Sequence, residues 1–185
     1  MLIQLLSQHP QAAGTIVANT PVWVWGLLAG LVALGLSQWR GRRASLTRVT
    51  VMPVMMTAFS VYGVVSAFGA AGQLPVVVGL WAVGAALTLA LAGRLPAAAG
   101  SRYDAATRQF ELPGSAVPLM LILGIFFTKY LVGVELSLQA SQAQTLSFAA
   151  PISLLYGVFS GVFAARTLAL LRLRQAPARL QPQMA

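Results

Sequence analysis

Cysteine is absent from this chain of 185 residues, histidine occurs once, and acidic residues number three. Without cysteine there is no disulfide, no thiolate metal site and no thiol redox relay. A haem needs an axial ligand, zinc needs three or four donors, and intramembrane hydrolysis needs a nucleophile with its base. His9, beside Pro10, meets none of these needs and reads as a solvated polar residue. The expectation is no enzyme activity, no cofactor and no metal. Charged residues are also scarce, 8% against 58% hydrophobic, too little polar material to cover a water-soluble core of this size.

What the chain does have is long apolar runs. Five of them, at 20–39, 49–68, 74–92, 116–134 and 148–171, hold enough mainly apolar residues to cross roughly 30 Å of hydrocarbon at about 1.5 Å per residue. In the last run, residues 148–165 already suffice. Arg166 then falls at the exit, and TLALLRLR lies in or leaves the headgroup region. Trp23 and Trp25 near one end of the first span and Trp39 at the other stand where amphipathic rings prefer the membrane boundary.

Ten of the twelve basic residues lie in three segments on one side of these runs. Arg40, Arg42, Arg43 and Arg48 join spans one and two, Arg94, Arg102 and Arg108 join spans three and four, and Arg172, Arg174 and Arg179 follow span five. The segments on the other side, 1–19, 69–73 and 135–147, contain no Lys or Arg. By the positive-inside rule the amino terminus is outside and the carboxyl terminus inside. The net charge of +9 is thus divided among juxtamembrane loops facing anionic headgroups, with Arg40, Arg42, Arg43, Arg172 and Arg174 as lipid contacts, and it does not point to nucleic acid. Arginine in place of lysine, with abundant Ala, Leu and Gly, suits a high-GC bacterial genome and an inner-membrane address. The start MLIQLL has no basic n-region and too short an apolar core for a cleaved signal, so the first span is expected to act as a signal anchor.

Residues 1–19 read as a periplasmic tail or interfacial helix, and 172–185 as a basic cytoplasmic tail. Thr20 and Pro21 make a helix start, a capping hydroxyl followed by proline at the first helical position. Pro53 and Pro118, in VMPVMM and AVPLML, occupy similar places near the starts of spans two and four. Between spans three and four, SRYDAATRQFELPGS reads as a small cytoplasmic β-hairpin, with Tyr103 and Phe110 flanking a turn in which Asp104 accepts hydrogen bonds.

Lys129 is the exception to an apolar interior. It lies roughly 20 Å into span four, where an ionisable group is costly. Its side chain tilts toward the helix start and so toward the bilayer centre, which makes snorkelling awkward. Counted from the same topology, Tyr62 and Tyr156 fall within about one helical turn of its level. Ser66, Ser153 and Trp81 can join them, offering hydroxyls and an aromatic face. The layer has two readings: an interhelical strut, or a site for an anion, lipid headgroup or substrate. Gly26 with Gly30, and Gly157 with Gly161, have the spacing that permits close helix packing.

The stretches TPVWVW, RGRR, VMPVMM, SVYGVVSAFG, the YD-turn-FELPGS hairpin, FFTKYLVGV and LYGVFSGVF together resemble an uncharacterised family of small five-span bacterial inner-membrane proteins, over Thr20 to Arg174. The tail before Thr20 departs from that pattern. This resemblance implies architecture and location and carries no activity. A fainter likeness, in the paired hairpins with arginine-rich turns, is to CcdC-like proteins associated with cytochrome c biogenesis, which implies an assembly accessory. The expected fold is an all-α bundle of five transmembrane helices with a short cytoplasmic β-hairpin-like loop. The expected role is a non-enzymatic accessory or binding component that contacts the bilayer and a membrane-protein partner or a second copy. The alternative is a small transporter with Lys129 at an anionic-substrate site.

Overall fold

A computed structural model describes residues 11–69 and 72–175. His9, Arg179 and most of the carboxyl-terminal tail lie outside the described residues. The chain is mostly helical: α1 (Gln11–Asn19), α2 (Val22–Ser37), α3 (Leu46–Phe68), α4 (Leu74–Ala92), α5 (Val117–Leu138) and α6 (Leu146–Gln175), with a 3-10 turn at Ala140–Gln144. Four of these, α3 to α6, are long and apolar enough to cross a membrane, which marks a helix-bundle membrane protein. The expected first span is shorter than its apolar run. α2 has 16 residues, about 24 Å of helix.

The break before α2 has a local cause. Pro21 disfavours helical geometry in the residue before it. Thr20 does not cap α2. Its hydroxyl closes α1 by donating to the Ile16 carbonyl (2.7 Å) and meets the Tyr130 hydroxyl (2.6 Å), tying this corner to α5. Pro53 lies inside α3, because that helix starts at Leu46 with Ser45 accepting from the Arg48 amide, whereas Pro118 stands at the first turn of α5. The two proline segments are therefore not in equivalent places.

The cytoplasmic hairpin expected at 101–115 is part of something larger. β2 (Arg102–Asp104) and β3 (Gln109–Leu112) pair antiparallel, and β1 (Arg42–Ser45) pairs with the free edge of β3, giving the order β1-β3-β2. In this register Ala44 faces Phe110, and Arg43 faces Glu111 and binds it at 2.9 Å. Phe110 is completely buried against Ala44, Val49, Tyr103 and Leu170, which fastens the sheet onto α3 and the last turns of α6. Arg172 donates to the Gly93 carbonyl and holds α6 to the end of α4. Connections gather at the opposite end as well, where Gln73 donates to the Gln144 carbonyl.

The helices form two leaves. α6 packs closely along α4 and also against α3, whereas α2 packs on α5, and α5 meets α6 over a short stretch. The α4–α6 seam is tight because of glycine. A Cβ on Gly161 would lie 2.6 Å from the Thr88 Cβ, one on Gly84 would lie 2.5 Å from the Leu154 carbonyl oxygen, and Gly157 rests on the Trp81 carbonyl. Gly26 and Gly30, expected in packing, face open space with nothing within 4 Å. The close approach of α2 to α5 is made instead by Gly35 against Leu119.

Candidate functional site

Between the two leaves runs a crevice of about 890 Å³. At one end it is lined by Thr20, Trp23 and Tyr130, along its length by residues such as Leu31, Ile122, Ile125 and Phe126, and at the sheet end by Arg42, Arg48 and Arg166. Lys129 lies on its wall. It leaves α5 and reaches across the gap: its Nζ is 5.6 Å from the centre of the Tyr156 ring on α6, and a Cβ on Gly63 of α3 would come within 2.8 Å of it. The missing side chain at Gly63 leaves room for the ammonium group, and the ring face of Tyr156 offers it partial negative charge.

Behind Tyr156 is a hydrogen-bonded group. Trp81 Nε1 donates to Ser60 Oγ (3.1 Å), and Ser60 and Ser160 both donate to the Tyr156 carbonyl (3.2 and 3.0 Å). The structure thus brings Lys129, Tyr156 and Trp81 together. Ser153, one turn before Tyr156 on α6, is fully buried, and its Oγ has no partner. Two expected members are elsewhere. Tyr62 is 68% exposed on another face of α3, and Ser66 bonds the Gly63 carbonyl of its own helix. Tyr62 has a suitable depth but stands about 100° from Gly63 around the helix. Ser60, Gly63 and Val64 recur at helical spacing, the pattern by which the inward face could have been found.

At the sheet end the arginines converge from β1, α3 and α6. Arg42 is half-buried, and its guanidinium pKa is lowered from the usual value first by that burial and then by the charges of Arg48 and Arg166. Among the described residues the one ion pair is Arg43–Glu111, so no described carboxylate is within bridging distance of these three. Arg166 lies inside α6, which continues through TLALLRLR to Gln175. Arg40, Arg43 and Arg174 are exposed, but Arg43 is engaged with Glu111 and Arg172 with Gly93, so neither is solely a lipid contact.

Asp104 is committed to its turn. It accepts from the Thr107 hydroxyl (2.6 Å) and the Ala106 amide (2.9 Å), and these bonds, the hydroxyl first, lower its pKa below 3.8. A carboxylate with a depressed folded pKa contributes stability that is present above its unfolded value and lost as pH falls through the folded one. Protection of the Ala106 amide, its exchange relative to an unstructured amide at the same pH, should therefore fall on acidification through that lowered pKa and hold steady at higher pH. Asp104→Asn should flatten the response, as read by hydrogen exchange.

The described residues contain no group of three or more His, Cys, Asp or Glu placed to hold a metal. With the bundle, crevice and sheet described, sequence comparison decides the family. The chain belongs to DUF6622, a family of unknown function. The match covers residues 1–181, so the first nineteen residues, expected to depart from the family pattern, fall within it. No curated protein matches the sequence, and no solved structure does. Membership of DUF6622 carries no reaction or ligand with it, so the functional reading rests on the crevice.

Proposed function

We propose that this protein is a non-enzymatic binding component of the bacterial inner membrane, with the crevice between its two leaves as the ligand site and Lys129 as the cation that holds the ligand. The supporting observation is that Lys129 stays exposed along the mainly apolar length of the crevice while reaching toward Gly63 and Tyr156. An ionisable group at such depth is costly unless it has a function or a partner. In this reading α2 is a fifth, short span, completed by local thinning of the bilayer or by its boundary tryptophans. The amino terminus is periplasmic and the carboxyl terminus cytoplasmic, because arginine-bearing connections gather at one end of the bundle.

The second reading is transport of an anionic substrate past Lys129. It is favoured by the continuity of the crevice from Thr20 and Tyr130 to the three arginines. Anion uptake by proteoliposomes separates the two. Uptake by wild type that Lys129→Ala abolishes makes the protein a transporter, while retention of a ligand without uptake makes it a binding component.

The absence of cysteine makes the topology simple to test with single substitutions. Ala105→Cys, in the β2–β3 turn, should react with an impermeant maleimide only after the inner side is opened, and Ser141→Cys, in the 3-10 turn, should react in intact cells. The reverse pattern would invert the orientation.

A further inference from the structure

The arginine end of the crevice has a chemistry of its own. Arg42 comes from the first residue of β1, Arg48 from the first turn of α3 and Arg166 from the last third of α6, so three separate elements bring fixed cations to one end of the crevice. Arginines whose like charges act on one another would be held apart unless the fold required their approach or an anion joined them. No described carboxylate supplies that anion. Arg42 and Arg166 also line a second cavity, of about 330 Å³, between the end of α4 and the start of α5, so these two residues border both spaces. From there toward Lys129 the crevice wall is apolar, with Val49, Leu121, Ile122 and Ile125 along it.

An anionic head beside an apolar channel is the complement of an anionic phospholipid. We propose that Arg42, Arg48 and Arg166 bind the phosphate of an anionic glycerophospholipid whose acyl chain lies in the crevice along α2 and α5. Guanidinium groups suit this task because they present forked donors to phosphate oxygens and remain charged. The occupant is a lipid and not free phosphate, because the length of apolar wall above the arginines would otherwise face nothing that matches it. In the proposed orientation this end lies at the inner headgroup level, where anionic lipids concentrate. The inference rests on the crevice being a ligand site, and it assigns the ligand class and the residues of one end.

The test uses the full chain, delipidated in mild detergent and titrated with phosphatidylglycerol, with phosphatidylcholine of the same acyl chains, and with inorganic phosphate, binding being counted by native mass spectrometry. Phosphatidylglycerol should bind about tenfold more tightly than phosphatidylcholine, and Arg48→Gln or Arg166→Gln should remove most of that preference. Arg166→Lys should restore part of it, which a purely structural role would not do. Arg102→Gln, an exposed arginine of β2 outside both cavities, is the control and should bind as wild type. Equal binding of the two lipids, or arginine variants indistinguishable from Arg102→Gln, would overturn the proposal. So would displacement of the lipid by inorganic phosphate at comparable concentration, since the site would then read phosphate alone. Ile122→Trp, which fills the apolar wall, separates this failure from failure of the crevice reading. If Ile122→Trp displaces lipid while the arginine variants do not, the crevice stands and its arginine end does not. If no variant alters binding, both fall.

Discussion

Gly157→Val is expected to destabilise the bundle by about 3 kcal/mol, the upper part of the range for overpacking a close-packed interior. The reason is geometric. A Cβ at Gly157 meets the carbonyl of Trp81 and lies 3.0 Å from the Ala85 amide nitrogen, and both are backbone atoms that cannot rotate aside. Apolar attraction between helices is weak in a bilayer, where the lipid is as apolar as the side chains, so such seams depend on close backbone approach. Opening the α4–α6 seam would remove the most extensive packing in the molecule. Gly30→Val is the control, because nothing lies within 4 Å of Gly30. Heating in detergent followed by size exclusion should show Gly157→Val losing its folded fraction at much lower temperature while Gly30→Val follows wild type. Equal behaviour of the two would mean that the seam is not where the helices meet.

Phe110→Ala should cost about 3 to 5 kcal/mol within the sheet region, the usual cost of truncating a buried aromatic ring. Phe110 is fully buried, packs its ring 4.9 Å from that of Tyr103, and joins β3 to Ala44, Val49 and Leu170. Because β3 is the central strand, the loss should loosen β1 and with it the placement of Arg42. Hydrogen exchange should therefore increase over Arg42–Ser45 and Gln109–Leu112 while α4 and α6 stay protected at their mid-lengths. Glu111→Gln, by contrast, removes only an exposed ion pair and should change stability by less than about 1 kcal/mol.

Much of the helical architecture was legible because apolar length is a strong signal. The runs that became α3 to α6 were readable from residue content alone, and the depth count that placed Tyr156 near Lys129 needed only the helical rise. Which face each helix turns inward was not readable by depth. Tyr62 was set in the layer because it is aromatic and at a suitable level, yet the inward stripe of α3 is made of Ser60, Gly63 and Val64, two of which are too small to stand out. The third strand was hidden for another reason. Arg42–Ser45 reads RRAS, with no apolar alternation, and forms a strand because Ala44 meets Phe110, a contact between residues far apart in sequence. The joining of Arg48 and Arg166 to Arg42 is likewise tertiary. Gly26 and Gly30 show the reverse case, since spacing that permits close packing does not supply a neighbouring helix.

The central claim, that the crevice is a ligand site with Lys129 in it, is tested most directly by native mass spectrometry of wild type and Lys129→Ala released from gently solubilised membranes. The expected result is a lipid, anion or protein retained by wild type and lost from a variant that remains folded. Identical spectra, with Lys129→Ala merely less stable, would contradict the claim and leave Lys129 as a strut joining α5 to Gly63 and Tyr156.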